Sequence, residues 1–438
     1  MGYILIRGGR ILKGKHWVRA NILVNEDSGK IVGIFKNRTI PNYFKSKIGT
    51  IVNARDRLVL PGRIDIHVHF REPGHEYKET FETGSAAAIA GGTTIIADMP
   101  NNDPPTNSVE RFYKKLEIVS GRSYSDFMFY IGVPEDYSEL QAIKNIKPRI
   151  AGVKIYYYNF HDSNLFKKID PPSDLLYIFH AEDAEYMADE EIGCNTYDDF
   201  EAKRPEKAEV EAVKEIINLA YNGYKVHITH VSTWQSLELI LSAKKRVNNR
   251  ITFDVTPHHL IISKEEAEKM GGIAKCYPPL RNKLNKLALS RAFRMGLIDA
   301  IASDHAPHSI DEKKTNLCAA KPGIAVIQYV LPIMFTLYKK LHIKDPRILL
   351  KVLSENPSKI LNLRKRGKIK IGYYADLVIF NHRKRWIIRP DENFSKNKET
   401  PFDGMVVRGY VEATFLRGQI VYRDGELIKK IGKYVEDN

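Results

Sequence analysis

The chain has 438 residues, 43% apolar and 28% charged, so it can bury a sizeable core and is not a disordered tail. Lys plus Arg exceeds Asp plus Glu by 68 − 53, a net charge of +15, which favours anionic partners without choosing among a carboxylate, phosphate or nucleic acid. No helix-turn-helix, RNP or zinc-finger pattern accompanies the charge, so no nucleic-acid partner is expected; the basic runs 364–370 and 382–386 read as solvated faces.

Residues 1–57 open with short alternating strands (YILIRG, ANILVN, KIVGIF) and read as strand rather than signal peptide. Eight runs rich in β-branched residues follow, at 58–70, 93–98, 127–132, 150–158, 175–180, 225–230, 251–256 and 300–304. Helical patterns separate most of them. ETFETGSAAAIAGG is Ala-rich and ends on Gly, as does EKAEVEAVKEIINLAYNG. Eight β-α alternations over about 250 residues predict an α/β fold, a closed parallel (β/α)8 TIM-like barrel spanning 58–365. An open doubly wound sheet is disfavoured, because no GxGxxG turn follows any strand. Residues 366–438 return to the style of the N-terminus (ADLVIFN, MVVRGYVEATFLRGQIVYRDGE). Neither end carries enough apolar surface for its own core, so one β-sandwich built from 1–57 and 366–438 is expected beside the barrel.

No apolar stretch reaches the roughly 18 residues that a membrane helix requires, so no membrane partner is expected. Cys194, Cys276 and Cys318 stand far apart with no CxxC pair. No disulfide framework is expected, and a cytoplasmic location fits. Only four Gln beside abundant Lys, Ile and Glu hints at a heat-adapted source.

Barrels of this kind place their chemistry at the C-terminal strand ends. Polar residues gather there: His67 and His69 on the first strand, Lys154 on the fourth, His180 on the fifth, His230 on the sixth and Asp304 on the eighth. His-x-His puts two imidazoles on one side of a strand, which suits Zn²⁺ or a similar ion. Taken alone, such a pair reads more readily as two hydrogen-bonding capping histidines; beside His180, His230 and Asp304 that becomes the weaker reading. Lys154 sits in the apolar run GVKIYYY. A neutral amine there could take up CO₂ and bridge two cations as a carbamate; a lysine snorkelling to the rim or paired with a carboxylate is the equal alternative. His227 falls on the opposite strand face from His230 and is read as packing or hydrogen-bonding, and His258-His259 as loop structure. Asp304 could ligate and act as general base, or simply cap a helix, although a cap leaves His308 unexplained. Residues 309–321 are polar and aperiodic, a lid over the site or an ordinary mobile loop.

The segments PGRIDIHVHFREPGHEYKETFETGSAAAIAGGTT, DMPNNDPPT, GVKIYYY, FHAED, RPEKAEVEAV, VHITHVST, DVTPHHL, YPPLR, SDHAPH, ENPSKILNL and GKIKIGYYADLVIF resemble the dihydroorotases of the amidohydrolase superfamily, in their long bacterial and archaeal class. The resemblance spans nearly the whole chain. It implies a zinc-dependent cyclic amide hydrolase that interconverts N-carbamoyl-L-aspartate and (S)-dihydroorotate in pyrimidine (UMP) synthesis. It implies two Zn²⁺ per subunit: His67, His69 and Asp304 on one, His180 and His230 on the other, and carboxylated Lys154 between them. Asp304 would be catalytic. Arg71, Asn101 and His308 match contacts to the substrate carboxylate, and Pro322 and Gly323 a backbone contact to the ring. A homo-oligomer and an association with aspartate transcarbamoylase also fall within what the resemblance implies. Allantoinase, dihydropyrimidinase and a non-catalytic dihydroorotase-like scaffold are the competing expectations. Three positions depart from the family pattern: Tyr277 stands where Asn is usual, Gln328 where Glu is common and Ser303 where Thr is usual.

Overall fold

The computed structural model describes residues 2–36, 40–134, 139–157, 175–189, 193–247 and 250–435. Tyr158, expected to end the fourth barrel strand, lies outside the described residues. Strands β1 (Tyr3–Lys13), β2 (His16–Asn25), β3 (Ile31–Phe35), β4 (Ile48–Asn53) and β5 (Leu58–Pro61) come first. A second series follows: β6 (Arg63–Val68), β7 (Thr93–Asp98), β8 (Asp126–Gly132), β9 (Gly152–Tyr156), β10 (Leu176–His180), β11 (Lys225–Ile228), β12 (Ile251–Val255) and β13 (Ala300–Ile301). The chain ends with β14 (Leu377–Ile387), β15 (Val406–Leu416), β16 (Gln419–Arg423) and β17 (Glu426–Leu427).

β6 to β13 form one eight-stranded parallel sheet in strict chain order. It closes into a barrel where His69 N donates to the His305 carbonyl at 2.8 Å and Val68 bridges His305. Beneath that seam Ser303 N donates to Asp65 Oδ1 at 3.0 Å, and Arg63 pairs with the same carboxylate at 2.9 Å. Parallel strands need crossovers, and helices supply them. Phe81–Ala90 starts at a Thr80 capping box, Trp234–Lys244 at Thr233 and Lys283–Met295 at Asn282, each side-chain oxygen accepting otherwise unpaired amide protons. The helix Glu206–Tyr221 begins after Pro205, close to its expected limits.

The other strands make one nine-stranded sheet from both ends of the chain, ordered β17-β16-β15-β14-β5-β1-β2-β3, with β4 on β1. β5 joins the two halves, parallel to β1 and antiparallel to β14. Strand alternation then serves two cores. Val59, Leu377 and Ile379 join Ile4, Ile6, Ile22 and Phe415 in the sheet's own cluster. Their neighbours Leu58, Leu60, Val378 and Phe380 join the barrel's cluster. Burying these alternate faces contributes about 25 cal/mol per Å² of apolar surface and fixes the sheet against the barrel.

Four local expectations change. The run 58–70 divides at Pro61-Gly62: residues 58–61 belong to the nine-stranded sheet, and the barrel begins at Arg63. No change of pattern marks the change of sheet, since both parts are buried on both faces. The eighth strand is only Ala300–Ile301, so Asp304 lies beyond it. His258 and His259 lie in a short helix, Pro257–Ile261, capped by Thr256. Finally, Cys194 and Cys318 form a disulfide across 124 residues, with Cα atoms 5.9 Å apart. Spacing along the chain carries no record of which distant loops meet. The bridge fastens the 309–321 segment. So does Lys313, whose buried Nζ donates to the carbonyls of Lys275, Lys321 and Gly323 at 3.1, 3.0 and 2.8 Å. No described helix is long and apolar enough to cross a membrane.

Candidate metal centre and substrate pocket

β6 carries Asp65 and His67 on the same side, and His69 extends that series. His67 Nε2 lies 3.1 Å from His69 Nε2, and the two stand 3.3 and 3.2 Å from Asp304 Oδ1. The three residues are buried, and their donor atoms form a set that can hold a metal ion. His230 stacks beside them, its ring centroid 5.4 Å from that of His67 and 4.6 Å from that of His180. Lys154 is on β9 opposite Ile178 of β10, two residues before His180. All six residues are thus in one buried cluster.

Its electrostatics are those of a site short of negative charge. Burial pushes the His67 and His230 imidazoles well below their ordinary range, and the Lys154 and His180 charges push the same way. Both rings are therefore neutral at pH 7, with lone pairs to offer. Burial also lowers Lys154, to about 8, against the opposing pull of Asp304 and Asp254. Its Nζ is buried with no hydrogen-bond partner, as are His67 Nδ1 and His230 Nδ1. Unpaired buried polar atoms cost about 1–3 kcal/mol each, so three in one cluster set it apart from an ordinary core. Arg71, His230 and Asp304 have left-handed backbones, with φ of 63°, 39° and 47°. Such strain in non-glycine residues costs on the order of 1–3 kcal/mol apiece and collects at functional sites.

Two of the imidazoles are aimed by a partner behind them. His69 Nδ1 donates to Asn101 Oδ1 at 2.6 Å, leaving Nε2 for the cluster. His180 Nε2 donates to Glu182 Oε2 at 2.6 Å. Arg204 grips Glu182 through Nη2 at 2.6 Å and Nε at 3.2 Å. Burial would raise the Glu182 carboxyl, but Arg204 and His180 hold it well below the usual range. Asp254 accepts from His230 N at 2.8 Å and from His227 Nε2 at 2.9 Å, so His227 acts from behind the cluster.

A second group lies beside this one. Arg71 Nη2 contacts His308 Nε2 at 3.0 Å, and Arg71 Nε donates to the Pro307 carbonyl at 3.3 Å. Burial, then Arg71, Lys78 and Lys313, hold His308 well below its ordinary pKa, so its ring is neutral. His308 Nδ1 faces Lys78 Nζ at 3.2 Å, and Lys78 pairs with Glu312 at 2.9 Å. The Pro322 carbonyl meets His308 Nε2 at 3.0 Å. Gly323 has φ +146°, and a Cβ there would fall 2.1 Å from the Ala306 carbonyl oxygen, so only glycine fits. Arg71 and Lys78 against Glu312 leave this pocket net positive, which suits an anion.

The family model described as "Amidohydrolase family" matches residues 58–421. The chain belongs to the amidohydrolase family. It is a hydrolase, and metal dependence is general to that family. Dihydroorotases are among its relatives. It is 33% identical over 420 residues to the dihydroorotase of Methanothermobacter thermautotrophicus, covering 94% of this chain and 93% of that one. To the dihydroorotase of Aquifex aeolicus it is 32% identical over 441 residues, covering 96% and 99%. Among solved structures, the L-hydantoinase (dihydropyrimidinase) of Arthrobacter aurescens superposes with a TM-score of 0.90 at 26% identity, covering all of both chains.

Sequence reasoning passed over several members of this amidohydrolase site. Glu182 and Arg204 lie in the segments FHAED and RPEKAEVEAV, which carry the family resemblance without singling out either residue. The signal available was a carboxylate two residues beyond a histidine at a strand end, one alternation from it. Lys78 and Asp254 gave no local signal. Asn101, expected against substrate, also orients His69.

Proposed function

We propose that this amidohydrolase is a dihydroorotase, interconverting N-carbamoyl-L-aspartate and (S)-dihydroorotate for UMP synthesis in the cytoplasm. The observation that carries the reading is the buried Lys154 amine, without a hydrogen-bond partner among four histidines and Asp304, beside a cationic group of side chains. The donor set fits two zinc ions. His67 and His69 with Asp304 would hold one and His180 with His230 the other, with Lys154 as carbamate between them. Bound there, the metals would polarise the ring amide carbonyl and lower the pKa of the attacking water.

The chain's own groups do the rest. Arg71, Asn101 and neutral His308 hold the substrate carboxylate, while the Pro322-Gly323 backbone borders the ring. Fixing the ring turns attack into an effectively intramolecular step. In ring opening, Asp304 takes the proton of the attacking water. The C–N bond breaks, and Asp304 returns that proton to the departing nitrogen. Ring closure runs the same steps backwards. The likeness to hydantoinases favours a second reading, a hydrolase of neutral cyclic ureides. The buried Arg71–His308 pair weighs against it, since neutral rings give that pocket no anion.

Turnover of dihydroorotate, allantoin, hydantoin and dihydrouracil, measured side by side with metal content, tests the proposal. Activity on dihydroorotate is expected, with two metals per chain; the Lys154→Ala variant is expected to lose both. Activity confined to the other rings defeats the substrate assignment. A fully active two-metal Lys154→Ala variant removes the carbamate.

A further inference from the structure

The helix Pro257–Ile261 and the segment at Cys276 bring another three donors together. His258, His259 and Cys276 are buried, and one donor atom from each lies within 4.8 Å of the other two. Neither ring nitrogen of His258 has a hydrogen-bond partner, although the residue is fully buried. Buried imidazoles ordinarily satisfy at least one nitrogen. His259 Nε2 and Cys276 Sγ converge on a single acceptor, the Pro278 carbonyl oxygen, at 3.2 and 3.3 Å. The six-residue cluster contains no sulfur, so this group differs from it in chemistry.

We propose that His258, His259 and Cys276 form an accessory binding site for a soft monovalent d10 cation of the Cu(I) class. Thiolate and imidazole donors select such ions. One thiolate and one monovalent ion leave no net charge among fully buried groups, where a divalent ion would leave an uncompensated charge. Bonds of about 2.0 Å to nitrogen and about 2.3 Å to sulfur set three donors around one ion about 3.5–3.7 Å apart. From separations within 4.8 Å the group therefore closes by up to about 1.3 Å. His259 keeps its anchor, because Thr256 Oγ1 lies 2.8 Å from Nδ1. Moving the ring proton to Nδ1 frees Nε2 and lets Nδ1 donate to that hydroxyl. The covalent balance is simple: the Cys276 S–H bond breaks, a sulfur–metal bond forms and one proton leaves. The ion keeps its oxidation state. Because burial raises the free thiol well above its ordinary range, binding tightens about tenfold per pH unit across the neutral range.

The test uses the full-length, zinc-loaded protein titrated anaerobically with Cu(I) buffered by a weak chelator. Cys194 and Cys318 are joined, so a thiolate-to-copper signal reports Cys276. One equivalent is expected to produce a near-ultraviolet charge-transfer band, an X-ray absorption fit of one sulfur and two nitrogens, and release of one proton. Cys276→Ser, or Cys276→Val should the serine variant misfold, is expected to abolish the band. His258→Ala is expected to weaken binding at least tenfold in the protein that remains folded. No band in excess Cu(I) overturns the proposal. So does a band of unchanged affinity in His258→Ala, which would mean the thiol binds alone. Ring-opening activity is recorded separately, so failure here and failure of the dihydroorotase reading are distinguishable.

Discussion

Glu182 offers the sharpest test of how the cluster is held together. It is fully buried; its Oε2 receives both His180 Nε2 and Arg204 Nη2 at 2.6 Å, and its Oε1 receives Arg204 Nε at 3.2 Å. Glu182→Gln keeps the shape and removes the charge. Donors face both oxygens, so the amide NH₂ must meet one whichever way it turns. Placed at Oε2, it drives the His180 ring proton onto Nδ1; placed at Oε1, it meets Arg204 Nε. Either way the buried guanidinium loses its counter-charge. Breaking one partner out of a buried pair costs about 3–5 kcal/mol. Losing the group that orients a ligating histidine costs about 10–100-fold in metal affinity, or about 1.4–2.8 kcal/mol. Urea unfolding of the chelated protein reads the first quantity; zinc competition against a chromophoric chelator reads the second. The double variant Glu182→Gln/Arg204→Met separates them. Without a stranded charge it should recover most of the stability, yet it should still bind zinc weakly. Wild-type zinc affinity in Glu182→Gln would refute the orienting role. A double variant as unstable as Glu182→Gln would refute the stranded-charge account.

Other consequences are equally direct. Arg71→Met should lower kcat/KM for dihydroorotate about 10–100-fold, the worth of a charge-assisted hydrogen bond of about 1.5–3 kcal/mol, while leaving metal content intact; steady-state kinetics with metal analysis checks this. Cys194→Ser should destabilise the chain by up to about 5 kcal/mol, since the bridge closes a loop spanning 124 residues. Denaturant titration of oxidised wild type against the variant measures it, and equal midpoints would mean that the bridge adds nothing. Burial lowers Lys313 to about 7, so between pH 7 and its unfolded value near 10.5 the unfolded chain binds the extra proton. Stability should therefore rise with pH across that window, by at most about 1.4 kcal/mol per unit from this group. The penalty is complete below pH 7. Lys313→Met should flatten the slope in pH-dependent unfolding, and an unchanged slope would assign it elsewhere.

The linear chain determined what repetition and residue chemistry can encode. Eight β-branched runs alternating with capped helices specified the parallel barrel, because each unit declares its period and its stops locally. His67 and His69 were legible as a pair, because two residues along a strand return to the same face. Their gathering with Lys154, His180, His230 and Asp304 was foreseen from strand ends and from family resemblance. Tertiary structure decided everything that depends on proximity between distant segments. Only the folded chain sets Glu182 between His180 and Arg204, joins Cys194 to Cys318 and sends residues 58–61 into a different sheet from residues 63–68. Those outcomes rest on the closure of one barrel and the pairing of two chain ends. A hydrogen bond between residues far apart in sequence leaves no periodic trace in either segment, so neither could announce the other.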